Sequence, residues 1–91
     1  MTDSSTIAKL FGRVVVFDLS SMFVILGTLV EADELHFSLR DADVHDLRDS
    51  PTNRENYVRD AKLYGISANR KRVLVRRDEV VSFSAIDDVL T

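Results

Sequence analysis

Val24-Ile25-Leu26-Gly27-Thr28-Leu29-Val30-Glu31-Ala32-Asp33-Glu34-Leu35-His36-Phe37-Ser38-Leu39-Arg40-Asp41-Ala42 decides how the rest of the chain is read. It divides into two strand-like halves around an acidic turn. In the second half Leu35, Phe37 and Leu39 alternate with His36, Ser38 and Arg40, a period of two that puts one face in a core and the other in water. The phase then slips, and Ala42 and Val44 become the apolar positions. A slip of one residue turns every later side chain to the wrong face unless a bulge absorbs it. The pattern therefore predicts a long third strand over residues 35–47, bent or bulged near residues 40–42. Gly27 interrupts the first half, residues 23–30. Glycine inside a strand marks a bend or a close backbone approach, and a strongly curved small sheet needs such a bend.

Upstream, Val14, Val15, Val16 and Phe17 predict a well-buried strand over residues 13–19, with Ser20-Ser21 as the turn. Before it, Ser4 or Ser5 can cap a short helix that carries Ile7, Ala8, Leu10 and Phe11 and stops near Gly12. Downstream, Pro51 breaks the sheet. Thr52 and Glu55 have the spacing of a capping box, Tyr57, Val58, Ala61 and Tyr64 follow at helical spacing, and Gly65 sits where a helix ends. A helix is expected over residues 53–64. Val73-Leu74-Val75-Arg76-Arg77-Asp78-Glu79-Val80-Val81-Ser82-Phe83 then reads as a second hairpin, with strands over residues 72–77 and 80–83. A capping pattern at Ser84 to Asp87 predicts a closing helical turn.

The bulk properties bound the function. At 91 residues the chain is one small domain, marginal alone and helped by oligomerisation. No cysteine is present, so disulfides and thiolate metal sites are excluded. No apolar run approaches the length of a membrane span, and residues 1–6 lack the basic and apolar regions of a signal peptide. A cytoplasmic protein is expected. The net charge of −3 argues against a globally basic nucleic-acid binder, so any such contact needs a local patch. Arg70, Lys71, Arg72, Arg76 and Arg77 supply one. Its plainer reading is an edge strand whose charges discourage wrong pairing.

Two hairpin-like pieces in this order, separated by a polar insertion, resemble the two motifs of the Sm/LSm-like family. Gly27, Asp33 and Asp41-Ala42 fit the first motif, with the turn one residue short and His36 where the family has asparagine. Val73-Leu74-Val75, Arg76, Asp78 and Val80-Val81 fit the second, with Arg77 in place of glycine. The resemblance spans residues 13–83 apart from the insertion. It implies a mainly β fold, a small five-stranded, strongly bent Sm-like (SH3-like) barrel. In this reading one domain, 1–91, comprises an N-terminal helix (1–12), strands one to three (13–47), a helical insertion (48–70), and strands four and five with a C-terminal turn (71–91).

The resemblance also implies a homo-oligomeric ring that binds single-stranded RNA without catalysis. By analogy His36 and Arg76 contact a base, Asp33 orients the turn through loop amides, and Arg77 and Asp78 complete the RNA site. Histidine can stack on a base and exchange a hydrogen bond, and a guanidinium can stack or face phosphate. Loss of the asparagine removes a paired donor and acceptor, and Arg77 would resist the positive φ that a glycine allows. The plainer reading of His36 is a polar residue on the wet face of a strand. Family subunits join strand four to strand five of a neighbour, which here makes Val73, Leu74, Val75, Val80, Val81 and Phe83 the interface. A rival reading keeps the ring as a protein-interaction scaffold without RNA.

Asp41, Asp43 and His45 share one face of an extended strand, with Asp46 and Asp49 near. They read as a solvated acidic face, because strand neighbours spread rather than converge on a metal ion. Ser20, Ser21, His36 and His45 form no recognisable nucleophile–base spacing, and no phosphate-binding glycine loop is present. No enzyme activity, cofactor or metal is expected.

Overall fold

The computed structural model describes residues 4–91. Five antiparallel strands form one strongly bent sheet: β1 (Val14–Leu19), β2 (Phe23–Ala32), β3 (His36–Asp46), β4 (Arg70–Arg76) and β5 (Val80–Ala85). Their spatial order is β4-β3-β2-β1-β5. A short helix, α1 (Ser4–Ala8), precedes the sheet, and α2 (Arg54–Tyr64) occupies the connection between β3 and β4. The expected cap at Ser4 or Ser5 lies outside the described side chains. Among the described residues no helix is long and apolar enough to cross a membrane.

The sheet is buried on both faces at its centre. On one face Val15, Phe17, Ile25, Leu29, Phe37, Leu39, Ala42 and Val75 form the main core, joined by Ile7 and Leu10 from the N-terminal segment. Phe17, Phe37 and Phe83 pack ring to ring at centroid distances of 5.0–5.8 Å. On the other face Val16, Val24 and Leu26 meet Leu47 and Val58, with Tyr57, Ala61, Ile86 and Val89 packed around them. Strands covered on both sides read as continuous apolar runs, and the run of Val14 to Phe17 has this cause.

The phase slip in β3 is a bulge. Leu26 pairs with Asp43 and Thr28 with Arg40, so two steps along β2 match three along β3, and the additional residue is on β3. Asp41 takes it up with φ of 50°, a left-handed conformation that aspartate tolerates better than most residues. Gly27 lies opposite. A Cβ there would stand 2.9 Å from Ala42 Cβ and 3.1 Å from its Cα, so the two strands approach too closely for any side chain.

Three local expectations are corrected. β4 and β5 do not form a hairpin. Residues Arg77–Glu79 make a 3-10 turn that carries the chain from one end of the sheet to the other, where β5 pairs with β1 from Ala85 opposite Val15 to Val80 opposite Leu19. The cap of α2 is Asn53, not Thr52: the Asn53 carboxamide oxygen accepts from Asn56 N–H at 2.8 Å, while Thr52 bonds only the Asn53 carbonyl. Ser84 caps nothing, because the final 3-10 turn, Ile86–Asp88, starts after Ala85 with no side-chain cap.

The inserted helix lies on its own barrel and is fastened at both ends. The Arg54 guanidinium donates to the carbonyls of Phe23 and Ser21, each at 3.1 Å. At the other end Lys62 Nζ donates to the carbonyls of Asp87 and Val89. Gly65, with φ of 91°, closes the helix by donating its N–H to the Ala61 carbonyl.

Candidate nucleic-acid interface

The turn between β2 and β3 is organised by one carboxylate. Asp33 Oδ1 accepts the N–H groups of Leu35 at 2.8 Å and His36 at 2.7 Å, and the Asp33 N–H donates to the His36 carbonyl at 3.0 Å. These amide bonds, that of Leu35 foremost, hold the Asp33 carboxyl below its ordinary pKa. His36 therefore enters β3 with a fixed backbone. Its Nδ1 stands 3.8 Å from Asp33 Oδ1.

The second turn is tied to the first. Arg77 N–H donates to the Leu35 carbonyl at 2.9 Å, and His36 is the direct cross-strand partner of Arg76. Arg76 Nη2 holds Asp78 Oδ2 at 2.7 Å, and this bond raises the guanidinium pKa further. The Arg77 guanidinium lies over the Phe37 ring, 4.5 Å from its centroid, with Nε buried and without a hydrogen-bond partner. Arg77 opens the 3-10 turn, and Asp41 is the only described non-glycine residue with positive φ. The expected backbone conflict at Arg77 therefore does not arise.

Glu34, Leu35, His36, Arg76, Arg77 and Asp78 line an open cleft of about 500 Å³. Asp33 stands behind it and shares with Arg77 a second recess under α1, walled by Ile7, Ala8, Phe11 and Ala32. An imidazole and a guanidinium on adjacent strands, one tethered through its backbone and one through Asp78, can take a planar ring between them or against them. Arg77 adds a positive charge at the floor.

The apolar residues expected at a subunit interface occupy different depths. β4 and β5 each have one neighbour and one bare edge, at opposite ends of the sheet. Leu74 and Val81 are 62% and 71% exposed. Val73, Val80 and Phe83 are half-buried against the main core, and Val75, at 3% exposure, belongs to the core of its own subunit.

Asp41, Asp43 and His45 do not share a solvated face. The bulge turns Asp41 outward to pair with Arg40 at 2.9 Å. Asp43 is only 4% exposed, beneath α2, where it accepts the Tyr57 hydroxyl and, at 3.4 Å, Asn69 Nδ2. Burial first, and then this bond, raise the Tyr57 pKa well above that of a free phenol. His45 stacks on Tyr57 with centroids 3.9 Å apart and bonds Ser50 Oγ through Nε2 at 3.1 Å. The Asn69 side chain exchanges two bonds with the Val44 backbone, each 2.9 Å, and so extends the β3 ladder beyond β4. No periodicity marks Asn69 for this role. Among the described residues no group of three or more His, Cys, Asp or Glu side chains is placed to hold a metal ion.

No family sequence model matches the chain, and no curated protein sequence does. Solved structures do. A Pyrococcus abyssii Sm protein, solved in complex with a uridine heptamer, is 18% identical with a TM-score of 0.61, over 93% of this chain and 99% of that one. The P. aerophilum SmAP1 heptamer is 21% identical with a TM-score of 0.62, over 93% of each chain. An Sm-like protein of Archaeoglobus fulgidus is 10% identical with a TM-score of 0.61, over 93% of this chain and 95% of that one. The chain has the Sm-like fold.

Proposed function

We propose that this protein is an Sm-like RNA-binding protein, the subunit of a homo-oligomeric ring that binds single-stranded RNA without catalysis. The observation that carries the reading is the direct pairing of His36 with Arg76 at the mouth of a cleft that the two turns build together. Asp33 fixes the His36 backbone, Asp78 holds the Arg76 guanidinium, and Arg77 contributes charge. The bare edges of β4 and β5 support a head-to-tail ring, because a heterologous contact between them satisfies both and closes if the rotation allows. The uridine heptamer bound to the Pyrococcus abyssii protein and the heptameric state of the P. aerophilum protein support the same reading and suggest uridine-rich RNA.

The test is a fluorescence-anisotropy titration with labelled oligouridine and oligoadenosine at two salt concentrations, on protein whose mass is fixed by light scattering. An assembly of several subunits should bind, and salt should weaken it. The double substitution His36→Ala, Arg76→Ala should abolish binding and leave the assembly intact. Unchanged affinity in that variant would overturn the site. An intact ring that binds neither oligonucleotide would overturn the function and turn attention to protein partners.

A further inference from the structure

The register of β3 and β4 places an unusual row of charge on the outer face of the sheet. Reading along the ladder from the cleft, His36 pairs with Arg76, Ser38 with Leu74, Arg40 with Arg72, and Ala42 with Arg70. His36, Ser38 and Arg40 share one face of β3 with their partners Arg76, Leu74 and Arg72 on β4, whereas Ala42, beyond the bulge, belongs to the core face. Arg40 and these three β4 residues are exposed. The α2 helix covers the β1 and β2 part of this face and leaves this part bare.

Arg40 and Arg72 stand directly opposite one another. Like charges in that position destabilise a sheet. Asp41 partly offsets Arg40 at 2.9 Å, and Asp78 offsets Arg76. Among the described residues Arg72 makes no ion pair. Three arginines therefore meet two carboxylates along this row, in a chain whose net charge is −3. A local rule broken with only partial compensation marks a place where function is expected. The row runs about 14 Å from the His36–Arg76 pair to the Arg40–Arg72 pair, at the usual rise per strand residue. An extended single strand covers that distance in a few nucleotides. Pairing of the β4 edge with a neighbouring subunit would use its backbone groups and leave this face open.

We propose that the outer face of β3 and β4 is a track for the phosphodiester backbone of a single strand leaving the cleft, with Arg40 and Arg72 as its phosphate contacts. Leu74 offers the apolar surface between the charged rows. The choice of a nucleic-acid strand rests on the proposed function of the cleft, whereas the track rests on the Arg40–Arg72 register.

The experiment compares oligouridines of about five and about fifteen nucleotides, lengths that bracket common single-strand site sizes, across a salt series. The proteins are wild type, the pair Arg40→Gln, Arg72→Gln, the charge-preserving pair Arg40→Lys, Arg72→Lys, and the cleft pair His36→Ala, Arg76→Ala. The glutamine pair should weaken the long oligomer at least tenfold at low salt and flatten its logarithmic salt slope by about 1.4, two phosphates' worth for a single strand. It should leave the short oligomer unaffected, and the lysine pair should restore the loss. The glutamine pair should melt no lower than wild type, since it removes an opposed charge. An unchanged long-oligomer affinity overturns the track and leaves the cleft standing. An equal loss on both lengths also overturns it, by making the two arginines part of the cleft. If the cleft pair still binds the long oligomer and the glutamine pair does not, the track stands and the cleft reading falls. Absence of binding by wild type overturns both.

Discussion

The two halves of β3 differ in burial and in the charge of their partners. Before the bulge, the outward residues His36, Ser38 and Arg40 are paired with a basic strand, the first two half-buried and Arg40 exposed. Beyond it, Asp43 and His45 point the same way and are roofed by α2, where the Tyr57 hydroxyl and Asn69 satisfy the carboxylate. One strand thus carries a wet cationic surface and a buried anionic one. The bulge at Asp41 separates them, and it also lets Phe37 and Leu39 share a core with Ala42 and Val44 despite the change of phase. A local backbone irregularity here divides a strand between recognition and packing.

The comparison breaks most visibly at its hinge. Gly27→Val drives a side chain into the Ala42 backbone, and a loss of about 3 kcal/mol in the denaturant-unfolding free energy is expected, at the upper end of overpacking costs. Removing the buried acceptor comes next. Asp43→Ala leaves the Tyr57 hydroxyl without its partner and should cost about 2 kcal/mol by the same measurement. The phenol gives an independent readout. With its folded pKa raised, Tyr57 adds stability that is full below the unfolded value near 10, declines as pH rises past it, and is lost as pH climbs through the folded one. Absorbance titration should find its phenolate missing at pH 10, and its appearance there would remove Asp43 as the acceptor.

Smaller effects sharpen the boundaries. Asn53→Ala should destabilise the roof by about 1 kcal/mol in a thermal melt, whereas Thr52→Ala should leave the midpoint nearly unchanged. The reverse ranking would restore the capping box. The least effect belongs to the carboxylates that flank β3. Asp46 is held at about 2, first by the Arg48 guanidinium and then by the Arg48 amide, and Asp33 is held below its ordinary value by the amides of Leu35 and His36. Both contribute to stability above the unfolded pKa of 3.8, and the contribution is lost as pH falls through each folded value. Carboxyl chemical shifts followed by NMR should place both midpoints below that value.

The first half of β3 was legible because local signals agreed. Alternation gave the face, Asp33 gave the turn, and the slip at Ala42 gave the bulge. Five strands and two helices followed from similar patterns. What escaped was non-local. Asp43 looks like part of a wet acidic face until α2 folds over it, and nothing near Asn69 signals that its amide completes a ladder. The nearness of β4 and β5 in sequence suggested a hairpin, but strand order is set by where Phe83 finds Phe17 across the sheet. At Thr52 and Asn53 two capping residues stand side by side, and spacing alone favoured the wrong one. The pairing of His36 with Arg76 could be guessed only through the family resemblance, because no spacing rule joins residues on separate hairpin-like pieces.

The bare edges of β4 and β5 carry a consequence for how copies of this chain could come together. A contact between β4 of one subunit and β5 of another saturates one edge on each and leaves a free edge at both ends of the pair. Every open chain of subunits keeps that deficit, however long it grows, and only closure removes it. Partial assemblies should therefore be scarce at equilibrium. A dilution series should pass from closed species to single subunits with few steps between, so that loss of one interface is felt by every subunit at once.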